Sequence, residues 1–281
     1  MTERKPENIL TKLDFLFDYS RERIFLFVEG KEDVEILRNH ELEGMEVIAA
    51  NGKQEILKMI QDKEQIHYDR PFGFLMDSDY DFICDKDLPF SSNNIFYSKG
   101  HDIFMDILRI YSKKFDDSLA CRLDEDSNLK NHQDKMNKAA EYREKAVTDA
   151  AHLAVIRIAC KNKLPQSDKE TYSKCFYQIE TPLTLESLLR HLKLHDSGSC
   201  HEDKLLEILE NNDHYSIVGD HDFMHALGSS LIIKALGPSL KKGAKLKDLK
   251  DSFIEKIDKD MLDKMDWFSQ IKAWARGYSH H

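Results

Sequence analysis

Short apolar runs alternate with helix-like segments through the first third of this sequence, and no other feature constrains its fold as much. The runs typical of buried strands, rich in aromatic and β-branched residues, cover residues 23–28, 46–50, 72–76 and 94–97. Segments with helical spacing follow them over residues 32–43, 54–65 and 102–112. Because a β-α-β-α-β order demands a parallel sheet with right-handed crossovers, the sequence predicts an α/β fold.

The rest of the chain has a different texture and is predicted to be mainly helical. Charged and amide residues dominate residues 124–149, which indicates an exposed helix or a mobile arm. Other helical segments, with a strand-like piece among them at 215–218, are expected over residues 150–159, 183–194, 204–209 and 221–236. We therefore predict a core over residues 20–112. A mainly helical region over residues 113–281 is expected to complete that core and to mediate dimer or partner contacts.

Acidic residues directly follow two of the predicted strands. Glu29 ends the first strand and Asp33 lies four residues later, while Asp77 and Asp79 follow the third strand. The carboxyl ends of neighbouring parallel strands converge at the crevice in which open α/β sheets bind ligands. Carboxylates gathered there repel one another unless a divalent cation neutralises them, and oxygen-only ligands favour Mg²⁺, Mn²⁺ or Ca²⁺. The sequence therefore predicts a metal-dependent active site.

Such a constellation suits the hydrolysis of phosphodiesters, in which paired cations activate water and stabilise the leaving oxygen. Asp81 would extend the row of Asp77 and Asp79 if the backbone stays extended. Three lysines close to the acids in the sequence are candidates to balance charge on a bound phosphate: Lys31, Lys53 and Lys99.

Other classes of protein fit the sequence less well. The net charge of −10 argues against a protein that coats nucleic acid, because such domains are usually basic. Neither a P-loop nor a G-x-G-x-x-G motif is present. The loop that begins at Asp77 has Phe82 and Leu88 where an EF-hand needs Gly and Glu. His221 and His225 lack the glutamate of a zincin, so we interpret them as a structural pair.

The sequence is typical of a cytoplasmic protein. Its apolar runs are too short to cross a bilayer, and no apolar segment that would form a secretory signal follows the polar residues 1–6. The five cysteines are odd in number and scattered, as expected for reduced thiols.

The acidic motifs resemble those of a TOPRIM domain over about residues 20–110. A TOPRIM domain has a strand that ends in Glu-Gly, a Gly near the second helix and an Asp-x-Asp after the third strand. The matching positions are Glu29-Gly30, Gly52, Asp77 and Asp79. Together with Gly-His-Asp at 100–102, the Val-Glu-Gly-x-x-Asp form is similar to the TOPRIM proteins that accompany ABC-type ATPases in bacterial defence.

This resemblance implies a TOPRIM catalytic core and an Mg²⁺- or Mn²⁺-dependent endonuclease. It implies that Glu29, Asp33, Asp77 and Asp79 bind the divalent metal. We expect the catalytic residues to be Glu29, Asp77, Asp79 and Lys31. It further implies an ATPase partner that holds the protein inactive until a phage is sensed, and action as a homodimer on host nucleic acid, with transfer RNA as the suggested target. Ile103 and Phe104 stand where many relatives have Glu, which leaves open whether Asp102 contributes to the metal site.

Two alternatives to this nuclease remain open at this point. The enzyme alternative is a protein with another TOPRIM activity, such as a primase. The non-enzyme alternative is a regulatory subunit whose acids bind Mg²⁺ only to stabilise its structure. Residues 100–105 and 219–224 also have similar sequences. An Asp that caps a helix start in both segments explains this similarity without an internal duplication.

Overall fold

The chain forms two compact units that interleave along the sequence. The computed structural model describes residues 24–38, 40, 44–62, 71–80, 92–123, 131–160, 183–191, 202–234 and 242–278. The first unit comprises Met1–Asp77, Phe90–Ser98 and Asp258–His281. The second comprises Ser78–Pro89 and Lys99–Ile257.

A four-stranded parallel sheet lies in the first unit, as the alternation predicts. Its strands are β1 (Ile24–Val28), β2 (Met45–Ala49), β3 (Phe72–Met76) and β4 (Ile95–Tyr97). The strands are ordered β2-β1-β3-β4, so β1 and β3 are central neighbours. The chain leaves β1 toward one edge of the sheet and then returns to the other side of β1. The sheet therefore changes direction between β1 and β3, as Rossmann-like sheets do at their ligand crevice.

The central strands are buried along their whole length, which explains their unbroken apolar sequences. Phe25, Phe27 and Phe74 are fully buried in one cluster, and the rings of Phe27 and Phe74 have centroids 5.7 Å apart. Helices α1 (Lys31–Arg38) and α2 (Lys53–Asp62) follow β1 and β2. The predicted ends of these helices, at residues 41–43 and 63–65, lie outside the described residues.

Helices make up the described secondary structure of the second unit. They are α3 (Ile103–Ile110), α4 (Ser112–Ala120), α5 (His132–Cys160), α6 (Leu185–His191), α7 (Glu202–Asn211), α8 (His214–Ile217), α9 (Asp220–Lys234) and α10 (Lys242–Ile254). The 29-residue helix α5 packs against five others in this unit: α4, α6, α7, α8 and α9.

The structure corrects two expectations for this region. Residues 124–149 were expected to form an exposed helix or a mobile arm. From residue 132 on they do form a helix, the first part of α5, but it is not exposed on all sides, because alanines and a charge-paired arginine give it a buried face: Ala139, Tyr142, Arg143, Ala146 and Val147. Residues 124–130 lie outside the described residues. The strand expected at 215–218 is the short helix α8. The Asp213 side chain caps α8 by accepting the Tyr215 N–H at 3.1 Å, and only Val218 beyond it is extended.

The first unit also contains the C-terminal helices α11 (Lys259–Leu262) and α12 (Asp266–Arg276). Trp274 of α12 packs on the sheet, with its ring 5.7 Å from that of Phe96 in β4. A Cβ at Gly73 of β3 would lie 3.0 Å from the Trp274 ring, so the absence of a side chain there admits the indole. No helix among the described residues has the length and apolar character to cross a membrane.

Candidate active site

Hydrogen bonds tie together the loops that follow β1, β2 and β3 in the first unit. The Asp77 N–H donates to Glu29 Oε1 at 2.9 Å, which joins the ends of the two central strands. The Gly52 N–H donates to the Glu29 carbonyl at 2.8 Å. The Lys53 ammonium donates to the Asp77 carbonyl at 2.6 Å. Glu29 is therefore half-buried at the centre of the carboxyl edge, with its side chain and its main chain each held by a different loop.

The turn after β2 requires an unusual backbone. Asn51 and Gly52 have φ values of 67° and 114°, and the second value is accessible in practice only to glycine. Gly52 then starts α2, because its carbonyl accepts the Glu55 N–H at 3.1 Å. This conformation explains physically why a glycine is needed near the second helix, where the motif places one.

Asp33 lies in the first turn of α1, with its carboxylate directed back toward the end of β1. Its Oδ2 accepts the Gly30 N–H at 2.7 Å, and the Gly30 carbonyl accepts the Val34 N–H at 3.4 Å. An acid at this position caps exposed N–H groups at the helix start. The structure therefore places three acids at one edge of the sheet: Glu29 and Asp77 directly follow β1 and β3, and Asp33 lies in the first turn of α1.

The predicted basic residues differ in their surroundings. Lys53 is half-buried, and its hydrogen bond to the Asp77 carbonyl holds its ammonium at the carboxyl edge of the sheet. Lys31 is exposed at the first residue of α1. Lys99 belongs to the second unit and has an exposed side chain, while its N–H donates to Asp106 Oδ2 at 2.7 Å. Asp81 lies outside the described residues.

Asp79 is the first acid of the second unit and has a left-handed backbone, with φ of 48°. Its N–H donates to the His101 carbonyl at 2.9 Å, and its Oδ1 lies 4.0 Å from His101 Nε2. Tyr80 packs edge-on to the same imidazole, with centroids 4.6 Å apart. Burial raises the pKa of the Tyr80 hydroxyl, although the neighbouring Arg157 opposes that rise.

Asp102, whose part in metal binding the sequence left open, caps two helices at once. Its Oδ1 accepts the Met105 N–H of α3 at 2.8 Å, and its Oδ2 accepts the Asp220 N–H of α9 at 2.7 Å. His101 Nδ1 lies 3.4 Å from the same Oδ2. Burial raises the pKa of Asp102, and the charge of Asp220 adds to the rise. Both carboxylate oxygens thus have structural partners, and the two segments of similar sequence, residues 100–105 and 219–224, meet at this side chain.

His101 is the residue of this region that sequence analysis did not single out as functional. Burial disfavours its charged form, but the adjacent Asp102, with smaller contributions from Asp79 and Asp222, raises the pKa of the imidazole overall. The available signal was Gly-His-Asp at residues 100–102, which the sequence analysis used for the family resemblance and for a helix cap but not for a role of the histidine. His221 and His225 pack together in α9, with ring centroids 4.5 Å apart.

Within the described residues, no group of three or more His, Cys, Asp or Glu side chains converges closely enough to hold a metal ion. The donor chemistry nevertheless fits Mg²⁺ or Mn²⁺, because Glu29, Asp33 and Asp77 all offer carboxylate oxygens. Mg²⁺ commonly keeps several waters and binds through one or two carboxylates together with substrate phosphates, so it does not need a preformed cage.

Fold and site together define an α/β protein with a Rossmann-like parallel sheet and acidic residues at its switch point. Comparison of the chain with protein-family models, curated proteins and solved structures gives no match.

Proposed function

We propose that this protein is a metal-dependent endonuclease of the TOPRIM kind that hydrolyses phosphodiesters in nucleic acid. One observation carries the proposal: the Glu29 carboxylate and the Asp77 backbone are hydrogen-bonded at 2.9 Å, at the point where the parallel sheet changes direction. Ligands of open α/β sheets bind at this point. Acids placed there by two adjacent strand ends suit a cationic cofactor and a phosphate substrate.

Glu29, Asp33, Asp77 and Asp79 would hold Mg²⁺ or Mn²⁺, which when bound polarises a phosphoryl oxygen and lowers the pKa of coordinated water. The Asp77 N–H fixes Glu29 Oε1 in direction. Lys53 places a positive charge beside Asp77 and can offset negative charge on a phosphate that enters the crevice. Lys31 and Lys99, which have exposed side chains, are proposed to contact the substrate.

The biological setting follows from the resemblance alone. The chain resembles AriB, the TOPRIM effector of the PARIS anti-phage system, whose partner is the ABC-type ATPase AriA. By this analogy the protein is a toxic effector that an AriA-like ATPase holds inactive in the cytoplasm. After release it would act as a homodimer on host nucleic acid, in particular transfer RNA, and cause abortive infection.

The test is cleavage by purified protein, freed from any partner, of transfer RNA and DNA in Mg²⁺ or Mn²⁺. Glu29→Gln keeps an oxygen that can accept the Asp77 N–H but removes the charge, so it should fold normally and lose about 100-fold or more of the cleavage rate. As the control, Glu32→Gln removes an exposed acid from the first turn of α1, and this variant should cut as fast as the wild type. A folded Glu29→Gln protein with wild-type cleavage would disprove the proposal.

The second candidate is the non-enzyme alternative, a regulatory subunit whose acids bind Mg²⁺ only to stabilise its structure. Under this alternative the wild type binds Mn²⁺ in calorimetry yet leaves every RNA and DNA substrate intact.

A further inference from the structure

Asp79 has a backbone conformation that needs support from its surroundings. Its φ of 48° is in the left-handed region, which non-glycine residues seldom occupy, although aspartate tolerates it better than most. Such conformations persist when neighbouring groups hold them, and they cluster at functional sites. One group that holds the Asp79 main chain is His101, whose carbonyl accepts the Asp79 N–H at 2.9 Å.

His101 is in turn fixed from several sides. Its N–H donates to the Ser216 carbonyl at 2.8 Å, and its Nδ1 lies 3.4 Å from Asp102 Oδ2. The ring rests against Gly219, where an added Cβ would lie 2.9 Å from His101 Cε1. Tyr80 covers another part of the ring, and the side chain is only 17% exposed. The imidazole therefore has a defined position and cannot swing freely.

The opposite edge of this fixed ring faces the Asp79 carboxylate. His101 Nε2 lies 4.0 Å from Asp79 Oδ1, which is too long for a direct hydrogen bond but close enough for electrostatic attraction. His101 thus acts on Asp79 twice, through its carbonyl on the main chain and through its ring on the carboxylate. Asp79 is itself 46% exposed, so its carboxylate is accessible to a ligand.

We propose that His101 is a positioning residue that sets the direction of the Asp79 carboxylate for binding a divalent cation. The inference rests on the proposed function, which assigns Asp79 to the metal. It also gives a role to the Gly-His-Asp segment: the Asp102 carboxylate attracts the ring on its Nδ1 side at 3.4 Å, and Nε2 faces Asp79 at 4.0 Å. Residues that orient metal ligands from behind commonly contribute about 10- to 100-fold in metal affinity.

Two substitutions separate the two edges of the ring. His101→Gln offers a terminal nitrogen near the place of Nε2 and keeps the group that faces Asp79, whereas His101→Asn keeps the group near Nδ1 and removes the one that faces Asp79. Both retain the His101 carbonyl. Mn²⁺ affinity, measured by calorimetry or by electron paramagnetic resonance on the full chain, should fall about tenfold in His101→Asn and less than threefold in His101→Gln. Thermal unfolding of each variant checks that both are folded.

A double-mutant cycle then distinguishes positioning from a general structural effect. If His101 acts through Asp79, the pair His101→Asn with Asp79→Asn should bind Mn²⁺ no more weakly than Asp79→Asn alone. Additive losses, a wild-type affinity in His101→Asn or an unchanged affinity in Asp79→Asn would each overturn the inference and leave the proposed nuclease standing. A wild-type protein that binds no Mn²⁺ would overturn the proposed function as well.

Discussion

The carboxylate of Asp102 is the only acceptor shown for two helix N-terminal N–H groups among the described contacts, so its removal should be costly. Asp102→Ala removes the acceptor of two N–H groups: that of Met105, bonded at 2.8 Å, and that of Asp220, bonded at 2.7 Å. Asp102 is 6% exposed, so water cannot readily replace the lost acceptor.

The expected magnitude follows from these two bonds. Each buried donor left unsatisfied costs about 1–3 kcal/mol, and a single cap is worth about 1 kcal/mol. Burial disfavours the charged form of Asp102 and raises its pKa, so we expect desolvation to offset part of this gain. We therefore expect Asp102→Ala to lower the free energy of unfolding by about 2–4 kcal/mol, or Tm by roughly 5–15 °C. Asp102→Asn keeps one carbonyl acceptor and should lose about half as much.

The assay is urea unfolding followed by circular dichroism at neutral pH, with Asp258→Ala as the matched control. Asp258 caps α11 by accepting the Met261 N–H at 2.9 Å, and its side chain is exposed. This control should lose about 1 kcal/mol or less. An Asp102→Ala protein that is no less stable than Asp258→Ala would refute the double-cap reasoning.

Two further predictions concern charges in the second unit. Asp116→Ala should lower the free energy of unfolding by about 3 kcal/mol, because it breaks a buried ion pair that Asp116 forms with Arg143 through two hydrogen bonds, at 2.7 and 3.0 Å. The double variant Asp116→Leu with Arg143→Met should recover at least half of that loss in the same urea assay. Burial, with help from the charges of His214 and Lys145, lowers the pKa of His152. As pH falls through about 6.5, the unfolded chain therefore binds more protons than the folded one. The free energy of unfolding should decrease between about pH 7.5 and 5.5, and His152→Gln should reduce that decrease. The same dependence of the free energy of unfolding on pH in both proteins would contradict this.

The sheet could be predicted from the sequence because its signal is local. The central strands are buried on both faces, so every residue of β1 and β3 contributes to an apolar run. The error at 215–218 has a local origin too, since the apolar and β-branched residues there outweighed the capping aspartate at 213. The buried face of α5 was missed because a charge pair between Arg143 and Asp116 makes a polar sequence compatible with burial.

The candidate site divides in the same way. Glu29 and Asp77 could be found because residues that end adjacent parallel strands must share an edge, whatever the rest of the fold does. The double cap formed by Asp102 depends on Asp220, which lies 118 residues beyond Asp102 in the chain. No sequence period connects residues so far apart, and only the tertiary structure brings the two helix starts to one carboxylate.

The packing of Trp274 on the sheet has a consequence for how the protein is made. All four strands leave the ribosome long before the indole that covers Gly73 and Phe96, because Trp274 lies about 180 residues after Phe96. At about 5–20 residues per second, this delay is roughly 10–35 s. During that interval the nascent sheet lacks one of its covering side chains. Under the proposed function, the unit that contains Glu29 and Asp77 therefore matures only after the whole second unit has been synthesised.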